Sequence, residues 1–93
     1  MTNLNIEYFE NNNWSFSNEK AIVKKSFEFE TFSSAISWMV EISFFAEKIN
    51  HHPEWKNVYN KIDVDLTTHD EKGLSTKDIE LAKFMDSLFD RYV

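Results

Sequence analysis

Of the chain's three histidines, His51 and His52 stand side by side directly before its only proline, Pro53, and the third, His69, falls near the end of the stretch DLTTHD. Imidazole, with an unperturbed pKa of about 6.5, is the side chain best suited to move protons near neutral pH. Two imidazoles in different protonation states can give a proton to a departing hydroxyl and take one from another atom of the same molecule, which is the logic of a dehydratase. Three imidazoles can also hold zinc with one position open. Against that, adjacent residues in extended chain point to opposite sides, and the nearby acids show no ligand spacing. A hydroxyl nucleophile, Ser75 or Thr68, would need a nucleophile elbow or an oxyanion loop, and neither motif is visible. A lone histidine is ordinarily a solvated or hydrogen-bonded residue without chemistry. Here His51 and His52 occupy a helix end, where the C-terminal dipole favours an imidazolium, and Pro53 stiffens the backbone that carries them.

Two neighbours invite the same weighing. Glu47 precedes His51 by one helical turn and could orient its ring, although a solvated carboxylate paired with Lys48 or Lys24 is the plainer expectation. Trp55 could stack on a flat heterocycle, yet an aromatic residue in a strand more often belongs to core or interface.

The elements that must position these groups follow from hydrophobic periodicity. A short strand is expected over 14–16, after a polar loop at Glu10–Asn13. From 21 to 30 the pattern alternates, with Val23, Phe27 and Phe29 on one face and Lys24, Ser26, Glu28 and Glu30 on the other, predicting a half-buried strand. Residues 31–50 contain no Gly or Pro and predict a long helix with two apolar stripes, Phe32, Ala35, Ile36, Met39 and Val40 on one and Trp38, Ile42, Phe45 and Ile49 on the other. Thr31 or Ser33 can cap its start, and Pro53 forces its end. Strands are expected at 55–59 and 61–68, the second with Ile62, Val64 and Leu66 on one face and Asp63, Asp65 and Thr67 on the other. That parity puts His69 on the polar side. A turn at DEKG leads to STKD, an acidic variant of the capping box, and then to a closing amphipathic helix through Ile79, Ala82, Met85, Leu88, Phe89 and Tyr92. The order strand, strand, helix, strand, strand, helix predicts an α+β two-layer sandwich, a four-stranded, mostly antiparallel sheet with helices on one face.

Composition narrows the function classes. Ninety-three residues suffice for one domain. Sixteen acidic against ten basic residues, a net charge of −6, disfavour direct contact with nucleic acid or an anionic membrane. The absence of cysteine excludes disulfides and thiolate chemistry. The N-terminus has neither the basic start nor the apolar run of a signal or membrane span, so a cytoplasmic setting is expected. Nine Phe, three Trp and three Tyr supply more apolar surface than so small a core can absorb, which points to an oligomer.

The stretch AEKINHHPEWKNVYNKIDVDLTTHD, followed by GLSTKDIELAKFMD, resembles the pterin-4a-carbinolamine dehydratase family. The likeness runs from about Trp14 through Asp86 and includes the Phe27-x-Phe29 strand. It implies dehydration of 4a-hydroxytetrahydropterin to quinonoid dihydropterin, the step that recycles the pterin after aromatic amino acid hydroxylation, with the pterin as substrate and no separate cofactor or metal. It implies that His51, His52 and His69 are the catalytic histidines and that Asn50, Pro53, Trp55, Thr67, Thr68 and Asp70 help line the pterin site. Glu47, Lys77 and Asp78 match supporting positions. Asn50 stands where many members have Asp, Lys77 where Arg is common, and Asn13 where Gly precedes the Trp. On this resemblance one of His51 and His69 protonates the 4a-hydroxyl, the other accepts the N5 proton, and His52 positions the ring. The family's dimers and tetramers imply a homo-oligomer, and its N-terminal helix is expected here in short or irregular form. An animal relative that doubles as a dimerisation cofactor for a transcription factor supplies the alternative, a non-catalytic oligomerisation module.

Overall fold

The computed structural model describes residues 6–17, 19–69 and 73–93. Helix α1 (Glu7–Asn11) leads into β1 (Ser15–Ser17) and β2 (Ile22–Glu28). The long helix α2 (Phe32–Ile49), strands β3 (Glu54–Val58) and β4 (Lys61–Leu66), helix α3 (Thr76–Phe89) and a 3-10 turn at Asp90–Tyr92 complete the chain. The four strands form one antiparallel sheet in the order β1-β2-β4-β3. The α+β sandwich expected from the pattern is the fold observed, with the helices on one face.

Register explains which face is covered. Val23 lies opposite Leu66 and Phe27 opposite Ile62, and all four are buried beneath the helices together with Val64. Trp38 of α2 is fully buried there, with its ring 4.7 Å from Phe27 and its indole N–H donating to the Met85 carbonyl at 3.3 Å. Burying such side chains contributes roughly 1.5–3 kcal/mol each and dominates the stability of so small a domain. Lys25 shares the inward parity of Val23 and Phe27, and it is tolerated there because its ammonium meets Asp86 of α3 at 2.6 Å.

The helix positions are close to expectation, with three corrections. Residues Glu10 and Asn11, read as loop, belong to α1, whose Phe9 is fully buried against Trp14 and Phe16. The polar run hid a helix because one large ring anchors it. The loop proper is Asn12–Asn13, and Asn13 adopts φ 69, the left-handed conformation that glycine takes freely and asparagine tolerates better than most residues. The predicted double stripe of α2 also resolves differently. Ala35, Trp38, Ile42 and Ala46 form the buried stripe, while Phe32 and Val40 of the other are about half exposed. Finally, β4 ends at Leu66, and Thr67 and Thr68 run on outside the strand.

Thr31 caps α2 by accepting from the Ser34 N–H. At its C-terminus Asn50 takes φ 55, and the His51 N–H reaches back to the Ala46 carbonyl at 3.0 Å, a Schellman-type closure. Pro53 follows at once and turns the chain into β3. Among the described residues, no helix is long and apolar enough to cross a membrane.

Candidate active site

The end of α2, the start of β3 and the segment leaving β4 converge on a cleft of about 420 Å³, a size suited to a small molecule. Asn50, His51, His52, Pro53, Thr67, Thr68 and His69 all line it, so most of the site predicted from sequence is gathered in one place. Glu54 and Asp65 line it as well and were not anticipated. The polar parity of β3 and β4 was the available signal, because the two residues are direct cross-strand partners on the sheet face away from the helices.

Each imidazole is held by a different carboxylate through Nε2. His51 meets Asp78 at 2.6 Å, His52 meets Glu47 at 2.8 Å and His69 meets Glu54 at 3.2 Å. The three pairs differ sharply in environment. The His51 side chain is 11% exposed over a fully buried Asp78, whereas His69 and Glu54 are 82% and 62% exposed. Among the described residues no three His, Asp or Glu side chains are grouped so as to hold a metal ion.

Asp78 joins the site to helix α3. Its Oδ1 faces His51, while Oδ2 accepts from the Thr68 hydroxyl at 2.6 Å and from the Ser75 backbone N–H at 2.9 Å. The last bond is half of the capping box foreseen in STKD. Since Thr68 spends its proton on Asp78, the Ser75 hydroxyl 2.7 Å away donates to Thr68. One carboxylate thus starts a helix, anchors the strand extension and holds an imidazole. Glu47 is largely exposed, as the plainer expectation has it, and because the chain turns at Asn50 its carboxylate meets His52 rather than His51.

Trp55 and Lys77 lie apart from the cleft lining. Trp55 borders a neighbouring depression on the sheet, and its ring centroid is 6.3 Å from that of Trp38. Lys77 is exposed on the first turn of α3. Asp70 lies outside the described residues. His69 follows Thr68, which exchanges reciprocal backbone bonds with Gly73 at 2.6 and 3.2 Å.

Known proteins resemble this chain over most of its length. It matches the family described as pterin 4 alpha carbinolamine dehydratase over residues 2–88. It is 49% identical over 77 residues to a candidate pterin-4-alpha-carbinolamine dehydratase of Ruegeria pomeroyi, covering 83% of this chain and 79% of that one. A like-named protein of Roseobacter denitrificans is 51% identical over 75 residues, covering 81% of this chain and 76% of its own. A crystal structure from Brucella melitensis, described as a transcriptional coactivator/pterin dehydratase, superposes with a TM-score of 0.80 at 34% identity, covering 92% of this chain and 97% of that chain. A pterin dehydratase-like protein described as a RuBisCO assembly factor in the alpha-carboxysome superposes with a TM-score of 0.70 over 82% of this chain and 88% of its own, and at 14% identity it shows the fold alone. The chain belongs to the pterin 4 alpha carbinolamine dehydratase family.

Proposed function

We propose that this protein dehydrates 4a-hydroxytetrahydropterin to quinonoid dihydropterin by histidine acid–base catalysis, serving pterin recycling. The observation that carries the reading is the cleft shared by His51, His52 and His69, with the buried His51–Asp78 pair at its base. In the reaction the C4a–O bond breaks, a proton reaches the departing oxygen to give water, and the N5–H electron pair becomes the C4a–N5 double bond. Donation of His51 Nε2–H to the Asp78 carboxylate leaves Nδ1 as the free lone pair of the neutral ring. His51 is therefore the base for N5–H, and Asp78 stabilises the imidazolium that forms, as the aspartate of a serine protease triad does for its histidine. His69, at the open rim where water can leave, is the acid for the hydroxyl. His52 positions the ring, and no cofactor or metal takes part.

Stopped-flow dehydration of chemically generated 4a-hydroxytetrahydropterin tests this. The protein should accelerate the spontaneous reaction, and His51→Ala should lose roughly 10²- to 10⁴-fold in kcat. Full turnover by His51→Ala would sink the mechanism, and no acceleration by the unaltered protein would sink the activity.

A second reading, a non-catalytic oligomerisation module, draws on exposed apolar side chains of α2, with Phe44 73% and Val40 50% exposed. Such a patch favours a homodimer or homotetramer. It is compatible with the enzyme as well, so loss of assembly in a Phe44→Asp protein that keeps full turnover would separate the two roles.

A further inference from the structure

We infer that Glu54 is a positioning residue for His69, holding the rim imidazole in the orientation that proton transfer requires. This inference rests on the dehydratase reading above. His69 is 82% exposed, lies beyond the end of β4, and has one side-chain partner among the described residues, the Glu54 carboxylate at 3.2 Å. Glu54 is differently placed. It opens β3 and is locked in register opposite Asp65 of β4, so its backbone belongs to the sheet. A ring beyond the end of its own strand is held from the neighbouring strand, and a side chain fixed on a regular element places its partner precisely.

The surroundings also aim the Glu54 carboxylate. Glu54 and Asp65 are like charges directly opposite on adjacent strands, an arrangement that repels. Asp65 is drawn away by Lys24 of β2, its own cross-strand partner on the far side, at 2.7 Å. Glu54 is left to turn outward, toward His69. The resulting row Lys24, Asp65, Glu54, His69 crosses three strands and ends at the exposed imidazole. An exposed pair of this kind adds little to stability, so its function is orientation, and orientation can be worth much more in rate than in folding.

The experiment compares Glu54→Ala and Glu54→Gln with the unaltered protein, each alone and combined with His69→Ala, in the stopped-flow assay. Glu54→Ala should lower kcat roughly tenfold with KM and thermal midpoint little changed. Glu54→Gln, whose amide oxygen still accepts from Nε2–H, should stay within about threefold of the unaltered protein. In the His69→Ala background Glu54→Ala should cost nothing further, because the two residues act as a unit. A kcat loss below about threefold for Glu54→Ala, a KM effect in place of a kcat effect, or an equal loss in the His69→Ala background would each overturn the inference. The ring resonance of His69 in ¹H–¹³C NMR supplies a readout independent of turnover, and it should move in Glu54→Ala. If the unaltered protein does not accelerate dehydration while that resonance still moves, the dehydratase reading falls and the tether stands. An unmoved resonance overturns the tether.

Discussion

Helix α3 carries two carboxylates that each collect three donors, and they serve opposite parts of the molecule. Asp78, in the first turn, accepts from His51, Thr68 and the Ser75 N–H. Asp86, further along the same helix, accepts from the Tyr8 hydroxyl at 2.7 Å, the Trp14 indole at 2.9 Å and the Lys25 ammonium at 2.6 Å. Both are well shielded and fully engaged, so charge and burial alone do not distinguish a site residue from a structural one. The donors do. Those of Asp78 include an imidazole that lines a cleft. Those of Asp86 are a phenol, an indole and an ammonium that tie α1, the residue before β1, and β2 to α3 without lining the cleft.

The largest expected effect separates the two nodes by activity. In Asp78→Asn the amide can present N–H to His51, which forces the proton onto Nδ1 and removes the lone pair that the base needs. A kcat loss of roughly 100-fold or more in stopped-flow dehydration is expected. Truncation to Ala adds instability of about 3 kcal/mol in urea unfolding, since it leaves buried donors unpaired and removes a helix cap. Near-normal kcat in Asp78→Asn would mean that His51 needs no carboxylate, and the distinction between the nodes would collapse.

Asp86→Asn should show the opposite pattern. Leaving the half-buried Lys25 ammonium without its counter-charge should cost about 2–3 kcal/mol of unfolding free energy, while kcat per folded molecule stays the same. A kcat loss comparable to that of Asp78→Asn would show that the N-terminal node reaches the site after all.

The same contrast marks what the sequence could and could not convey. Alternation and helical spacing depend on one element at a time, so the order of the four strands and two long helices and the buried face of β4 were legible. STKD was readable as a cap because both partners lie within four residues. That Asp78 also holds His51 was not, since it depends on α3 folding back against the end of α2, and periodicity says which face is polar but not what meets it. Glu47 could face His51 only on a helix that ran on, and one left-handed residue, Asn50, ends it and brings Glu47 to His52. Lys25 was unreadable for a related reason. A lysine on an inward face looks like a fault in the alternation until Asp86 arrives from far along the chain. The resemblance to a family supplied most of the cleft residues, but which carboxylate meets which histidine emerges only from the tertiary pairing.

The smallest expected effect tests the Asp86 node through pH. Burial, the hydrogen bond to Asp86 and then the charges of Asp86 and Asp90 raise the Tyr8 phenol well above its ordinary 10.0. A raised acid pKa means that the native state holds the proton more tightly than the unfolded chain does. The stabilisation is therefore complete below pH 10 and is lost as pH climbs from there toward the native value. Tyr8→Phe removes the hydrogen bond and should cost about 1 kcal/mol near pH 8, a modest figure because the phenol is only partly buried. Between pH 10 and pH 11 the unaltered protein should lose stability faster than Tyr8→Phe, narrowing the gap between them, while the other tyrosines and lysines titrate alike in both and cancel. Urea unfolding at pH 8, 10 and 11 measures that gap. A gap that stays constant would mean that Tyr8 ionises as readily in the fold as outside it, and Asp86 would then gather only two donors that matter, Trp14 and Lys25.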